Sequence, residues 1–123
     1  MKMKESILII DDNEEILELL TDILEDTYTL HLAESAEKAL LLLNNEIIHL
    51  IISDVMMPGM DGFQLCKLLK TDVNYCHIPI ILLTARTTFN AQIEGLENGA
   101  DAYIKKPFSQ LLLRTQTANL LRN

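Results

Sequence analysis

Apolar residues in this chain come in short runs that close on a polar residue, separated by stretches where apolar positions recur every three or four residues. Residues 6–10 (SILII) run into Asp11 and Asp12, and residues 47–53 (IIHLIIS) run into Asp54. Residues 78–83 (IPIILL) end at Thr84, and residues 102–104 (AYI) end at Lys105 and Lys106. Residues 28–33 (YTLHLA) alternate more weakly. Short β-rich apolar runs of this kind predict buried strands of a parallel sheet. The intervening stretches predict helices. Ile16, Leu20, Ile23 and Leu24 share a face within residues 14–25, and Ala36, Ala39, Leu40 and Leu43 share one within 36–44. Phe63, Leu65, Cys66 and Leu69 fall together within 62–70, and Phe89, Ile93 and Leu96 within 87–98. Ser109 reads as the N-cap of a last helix running to about Leu121. Gly99 after Asn98 suits a left-handed helix stop. Pro79 falls near the start of its strand, where a missing N–H does least harm.

Strand–helix alternation five times over predicts one domain, residues 1–123, with a doubly wound α/β fold and helices on both faces of a five-stranded parallel sheet. Crossovers of this kind are right-handed. Five strands suit the flavodoxin-like order 2-1-3-4-5, although alternation alone does not prove it. No repeat, low-complexity tract or linker interrupts the pattern.

Composition narrows the function. Of 123 residues, 49% are hydrophobic and 23% charged, a globular balance. The net charge of −8 argues against nucleic-acid binding by this domain, because phosphate backbones need a basic footprint. No apolar run approaches a membrane span, and the start, MKMKES, lacks a signal peptide's apolar stretch. Cytoplasmic residence is the expectation. Cys66 and Cys76 fit it as free thiols, and one pair lacks the ligand count of a zinc site. His31, His49 and His77 share no metal-ligand spacing. Met56, Met57 and Met60 read as packing and loop residues, since a soft-metal site is at odds with neighbouring hard carboxylates.

In open α/β sheets, ligands bind beyond the carboxyl ends of the strands. Asp11, Asp12, Asp54, Thr84 and Lys106 all sit at such ends. Together they offer three carboxylates, a hydroxyl and an ammonium. Carboxylates crowded into one pocket hold protons or share a cation. A hard divalent cation, Mg²⁺, suits such oxygen ligands. One acid is then available as a nucleophile for phosphoryl transfer, with Lys106 and Thr84 left to hold phosphoryl oxygens. Each residue taken singly has a plainer reading. Asp11 and Asp12 precede a helix, where acids cap and oppose the dipole. Asp54 precedes a Pro-Gly loop and could be a turn residue. Thr84 alone says little, and Lys106 could be a solvated surface lysine. Their joint occurrence at four strand ends is what favours a site.

These residues resemble the receiver domains of two-component response regulators. The resemblance covers essentially the whole chain: ILIIDDNEE around Asp11 and Asp12, ISDVMMPGMDG around Asp54, ILLTA reaching Thr84 and Ala85, and GADAYIKKPF around Lys106. It implies that Asp54 is the phosphorylation site. It implies that Asp12 ligates Mg²⁺ directly with Asp54 and the backbone carbonyl of Met56, while Asp11 acts through a metal-bound water. Lys106 is similar to the lysine that pairs with the phosphoryl group, and the Lys106–Pro107 bond to one that is cis. Thr84 and Tyr103 resemble a switch pair, biasing a surface made by the fourth helix, fifth strand and fifth helix. Met56 and Arg86 resemble positions flanking the path of the hydrolytic water. Apolar Met56 and long Arg86 there imply slow loss of phosphate.

The same resemblance implies a histidine kinase or phosphotransfer domain as donor, docking near the first helix. It implies an output domain or partner on the switch face and allows a phosphorylation-dependent homodimer. No independent enzyme activity is expected beyond self-catalysed phosphorylation and dephosphorylation. The ending TQTANLLRN resembles the lead-out from receivers in hybrid sensor kinases with a helix-turn-helix output. That implies a parent that is histidine kinase and transcription regulator in one chain, against a free single-domain receiver. Three other classes compete. A haloacid-dehalogenase-type phosphohydrolase wants a second Asp two residues after the nucleophile, where Met56 stands. A flavodoxin-like cofactor binder wants a phosphate-cradling loop after the first strand, where the acidic run from Asp11 to Glu15 would repel phosphate. A degenerate receiver acting as a phosphorylation-independent docking module would lack acceptor-site residues, and none is missing.

Overall fold

The computed structural model describes residues 3–86 and 88–122. Strands and helices alternate: β1 (Ser6–Ile10), α1 (Glu14–Leu24), β2 (Thr29–Ala33), α2 (Ala36–Asn45), β3 (Leu50–Ser53), α3 (Gly62–Lys70), β4 (Ile80–Thr84), α4 (Phe89–Glu97), β5 (Ala102–Lys105) and α5 (Gln110–Arg122). The five strands are parallel, in the order β2-β1-β3-β4-β5. That is the flavodoxin-like order expected.

The pleat divides the core in two. Ile7, Ile9, Leu50 and Ile52 face α1 and α5, meeting Leu17, Leu20, Ile23, Leu24 and Leu113. Leu8, Ile10, Ile51 and Leu82 face α2, α3 and α4, meeting Ala39, Leu43, Phe63, Cys66 and Leu69. β1, β3 and β4 are therefore buried on both sides, which is why they read as unbroken apolar runs. β2 lies at a sheet edge and is partly exposed, which accounts for its weaker pattern.

Local chemistry sets the boundaries. Asn13 caps α1, its side chain accepting from the Glu15 amide. Asp61 and Gln64 close a reciprocal capping box on α3. Ser109 Oγ accepts from the Leu112 amide at the start of α5, as an N-cap should. α4 ends in a Schellman motif: Gly99 (φ +99°) donates to Leu96, and Ala100 to Gly95.

Three expectations need correction. β3 starts at Leu50 rather than residue 47, because Ile47 is 79% exposed and stands outside the sheet. β4 starts at Ile80, after Pro79, and runs through Thr84. The apolar face expected for α4 points the wrong way. Phe89, Ile93 and Leu96 are exposed, while Ala91 and Gly95 are buried. Small residues let α4 approach the sheet closely: a side chain on Gly95 would meet the Tyr103 ring at 2.9 Å. Residue 87, the expected start of this helix, lies outside the described residues. Among the described residues no helix is long and apolar enough to cross a membrane.

Candidate functional site

Backbone pairing brings the strand-end residues to one rim. The Asp54 amide donates to Ile10, the Asp11 amide to Ala33 and the Lys106 amide to Thr84. Each bond carries the sheet ladder one residue past a strand and fixes where the next side chain emerges.

At this rim Asp11, Asp12 and Asp54 each offer a carboxylate oxygen, and the three oxygens lie within 4.8 Å of one another. Asp11 and Asp54 are buried, whereas Asp12 is exposed. The Lys106 ammonium stands 2.7 Å from Asp11 Oδ2 and 3.5 Å from Asp54 Oδ2. Asp11 Oδ1 accepts from the Asn13 amide, and Asp54 Oδ1 from the Val55 amide. One ammonium thus pairs with two of three clustered carboxylates, so negative charge is left over. A hard cation with oxygen ligands is what such a donor set fits. The capping explanation for Asp12 is unnecessary, because Asn13 already caps α1.

The loop after Asp54 is held from beneath. The Val55 carbonyl accepts from the Gly62 amide, and a side chain on Gly62 would overlap the Asp54 carbonyl. Gly62 is therefore a site-shaping residue that strand-end reasoning missed; its only sequence signal was a glycine at a helix start. Met56 lies in this loop with its side chain exposed, and Met57 is buried in the core.

Thr84 is fully buried, and its Oγ1 accepts from the Arg86 amide at 3.2 Å. The Tyr103 hydroxyl donates to the Arg86 carbonyl at 2.6 Å. Burial raises the Tyr103 pKa above its ordinary value; Arg86 opposes that, and Glu94 and Asp54 add to it. The Arg86 guanidinium carbon sits 5.4 Å from the centre of the Phe63 ring. The structure thus brings together Asp11, Asp12, Asp54 and Lys106 as one group, and Thr84, Arg86 and Tyr103 as a second. The Lys106–Pro107 bond is cis. Cys66 and Cys76 are free thiols.

The family that matches is the response regulator receiver domain, over residues 7–118. Histidine kinase P4 of Formosa agariphila is 41% identical over 99% of this chain and 9% of its own length. Response regulator PleD of Caulobacter vibrioides is 36% identical over 98% of this chain and 27% of its own. The chain thus spans well under half the length of these curated relatives. The signal receiver domain of a signal transduction histidine kinase from Syntrophus aciditrophicus superposes with a TM-score of 0.89, at 38% identity over 96% of this chain and 90% of that one. Chemotaxis response regulator CheY4 of Vibrio cholerae superposes with a TM-score of 0.88, at 29% identity over 96% of this chain and 99% of that one.

Proposed function

The chain belongs to the response regulator receiver family, and on that premise we propose that it is a phosphoacceptor switch whose acceptor is Asp54. The observation that carries the reading is the buried Asp54 carboxylate with Lys106 at 3.5 Å and two further aspartates beside it. A phosphohistidine of a histidine kinase or phosphotransfer domain is the proposed donor. An Asp54 oxygen attacks phosphorus, a P–O bond forms, the P–N bond breaks, and the imidazole keeps the electron pair. The Val55 amide holds Oδ1, leaving Oδ2 on the Lys106 side as the freer nucleophile. Lys106 has three donors and spends one on Asp11, so others remain for phosphoryl oxygens. Thr84 Oγ1 is fixed as an acceptor by the Arg86 amide, which leaves its proton for another phosphoryl oxygen. Asp12, Asp54 and the Met56 carbonyl would hold Mg²⁺, with Asp11 acting through a bound water. When bound, the ion offsets charge on the phosphoryl oxygens.

Phosphorylation would draw Thr84 toward the new group. The Arg86 segment, bonded to both Thr84 and Tyr103, would carry that movement to the ring. The output surface is proposed on α4, β5 and α5. The exposed Phe89, Ile93, Leu96, Leu111 and Leu112 support an output partner there or a phosphorylation-dependent homodimer. On this reading the chain is a signalling module that acts in the cytoplasm, with self-catalysed phosphorylation and dephosphorylation as its only chemistry.

The test is titration with beryllofluoride, a phosphoryl mimic, with and without Mg²⁺, followed by the Tyr103 ring resonances. Saturable binding that needs Mg²⁺ and is lost in Asp54→Ala is expected. Binding that survives Asp54→Ala would refute the assignment.

A further inference from the structure

Arg86 reaches three neighbours at once. Its amide donates to Thr84 Oγ1, its carbonyl accepts from the Tyr103 hydroxyl, and its guanidinium lies over Phe63. The first two contacts place Arg86 between the two proposed switch residues. The third ties it to a different element, the first turn of α3. That turn is not free to move. Phe63 is buried in the core, and the adjacent Gly62 is packed against the Asp54 carbonyl with no room for a side chain.

We infer that Phe63 is a positioning residue for the phosphoryl chemistry of Asp54: its ring seats the Arg86 guanidinium and so holds Thr84 and Tyr103 in register with the acceptor. The inference rests on the phosphoacceptor reading of Asp54. A cation over an aromatic face is attracted by the ring quadrupole, and the planar guanidinium stacks well on it. The side chain of Arg86 is otherwise exposed, so the ring supplies an anchor that water would not. With Arg86 seated, its amide donates to Thr84 Oγ1, and the hydroxyl proton is turned away from that amide. A hydroxyl whose proton already faces away from the amide has only to approach the phosphoryl group and not to reorient first. Without the ring, the segment samples other conformations and the donor must be ordered on binding. The family resemblance sets Arg86 beside the path of the hydrolytic water. Its place over Phe63 gives it a second role, through the backbone.

The test is a double-mutant cycle read by beryllofluoride affinity in Mg²⁺. Phe63→Leu and Arg86→Ala should each weaken binding by about two- to fivefold, the size of an exposed cation–π contact. The double variant should bind no worse than Arg86→Ala alone, because the second change removes a contact already lost. Additive losses, or unaltered affinity in Phe63→Leu, would overturn the inference. Phe63→Met removes the ring with less change of volume and serves if Phe63→Leu does not fold. A second readout needs no phosphoryl mimic: the Tyr103 ring resonances should shift in Phe63→Leu and in Arg86→Ala alike. If the parent protein fails to bind the mimic while these resonances shift as expected, the acceptor reading is wrong but the seating of Arg86 stands. If they do not shift, the seating itself is wrong.

Discussion

Gly62 and Asp54 are in backbone contact: α3 begins so close to the end of β3 that any side chain at 62 would overlap the Asp54 carbonyl. The Asp54 loop is thereby clamped between a strand that ends at Ser53 and a helix that starts at Gly62. Gly62→Ala should move the Asp54 loop or the helix. Overpacking of this kind costs roughly 1–3 kcal/mol. Chemical denaturation should show that loss, together with weaker beryllofluoride binding. Unchanged stability would mean that α3 can back away freely.

Gly95 plays a comparable part under Tyr103. An added Cβ would stand 2.9 Å from Tyr103 Cδ2 and 3.2 Å from Leu82 Cδ1. Alanine favours the helix by about 1 kcal/mol over glycine, and the ring can swing aside. Gly95→Ala should therefore leave stability within about 1 kcal/mol while breaking the Tyr103–Arg86 hydrogen bond. Tyrosine ring resonances check this; a Tyr103 environment like that of the parent would contradict it.

The two thiols should differ sharply. Burial pushes the Cys66 thiol up to about 11 from an ordinary 9.0, whereas Cys76 is exposed. Thiolate is the reactive form, so a disulfide reagent near pH 8 should label Cys76 fast and Cys66 only on unfolding. Because the folded value lies above the unfolded one, the stability Cys66 contributes is full below about pH 9 and is lost as pH rises toward 11. Denaturation curves of the parent and Cys66→Ala should converge across that window. Equal labelling rates would contradict the burial argument.

Met56 is exposed two residues beyond Asp54, and its apolar side chain cannot orient a water. Met56→Asn should speed loss of phosphate by about tenfold, a modest share of what a well-placed polar group contributes to proton transfer. Decay of the phosphorylated species by intact mass measures it. An unaltered rate would remove Met56 from the path of the water.

The fold was legible because β1, β3 and β4 are buried on both faces and show as apolar runs. The rim residues were legible because Asp11, Asp54 and Thr84 each stand one position past such a run and Lys106 two past residues 102–104, so strand ends located them without knowledge of the sheet order. What sequence periodicity could not show was size. α4 was oriented by its largest apolar residues, Phe89, Ile93 and Leu96, yet it packs through Ala91 and Gly95, and the Tyr103 ring fills the space beside Gly95. Gly62 escaped for the same reason: a missing side chain leaves no apolar signal. The seating of Arg86 on Phe63 joins residues on separate helices and loops, and no local pattern encodes it.

The most direct measurement is intact mass after incubation with Mg²⁺ and acetyl phosphate, for the parent chain and Asp54→Ala. One added phosphoryl group in the parent, absent without Mg²⁺ and absent in Asp54→Ala, is the expected result. A parent that gains no phosphoryl group, or an Asp54→Ala chain that gains one equally, would contradict the assignment of Asp54 as the acceptor.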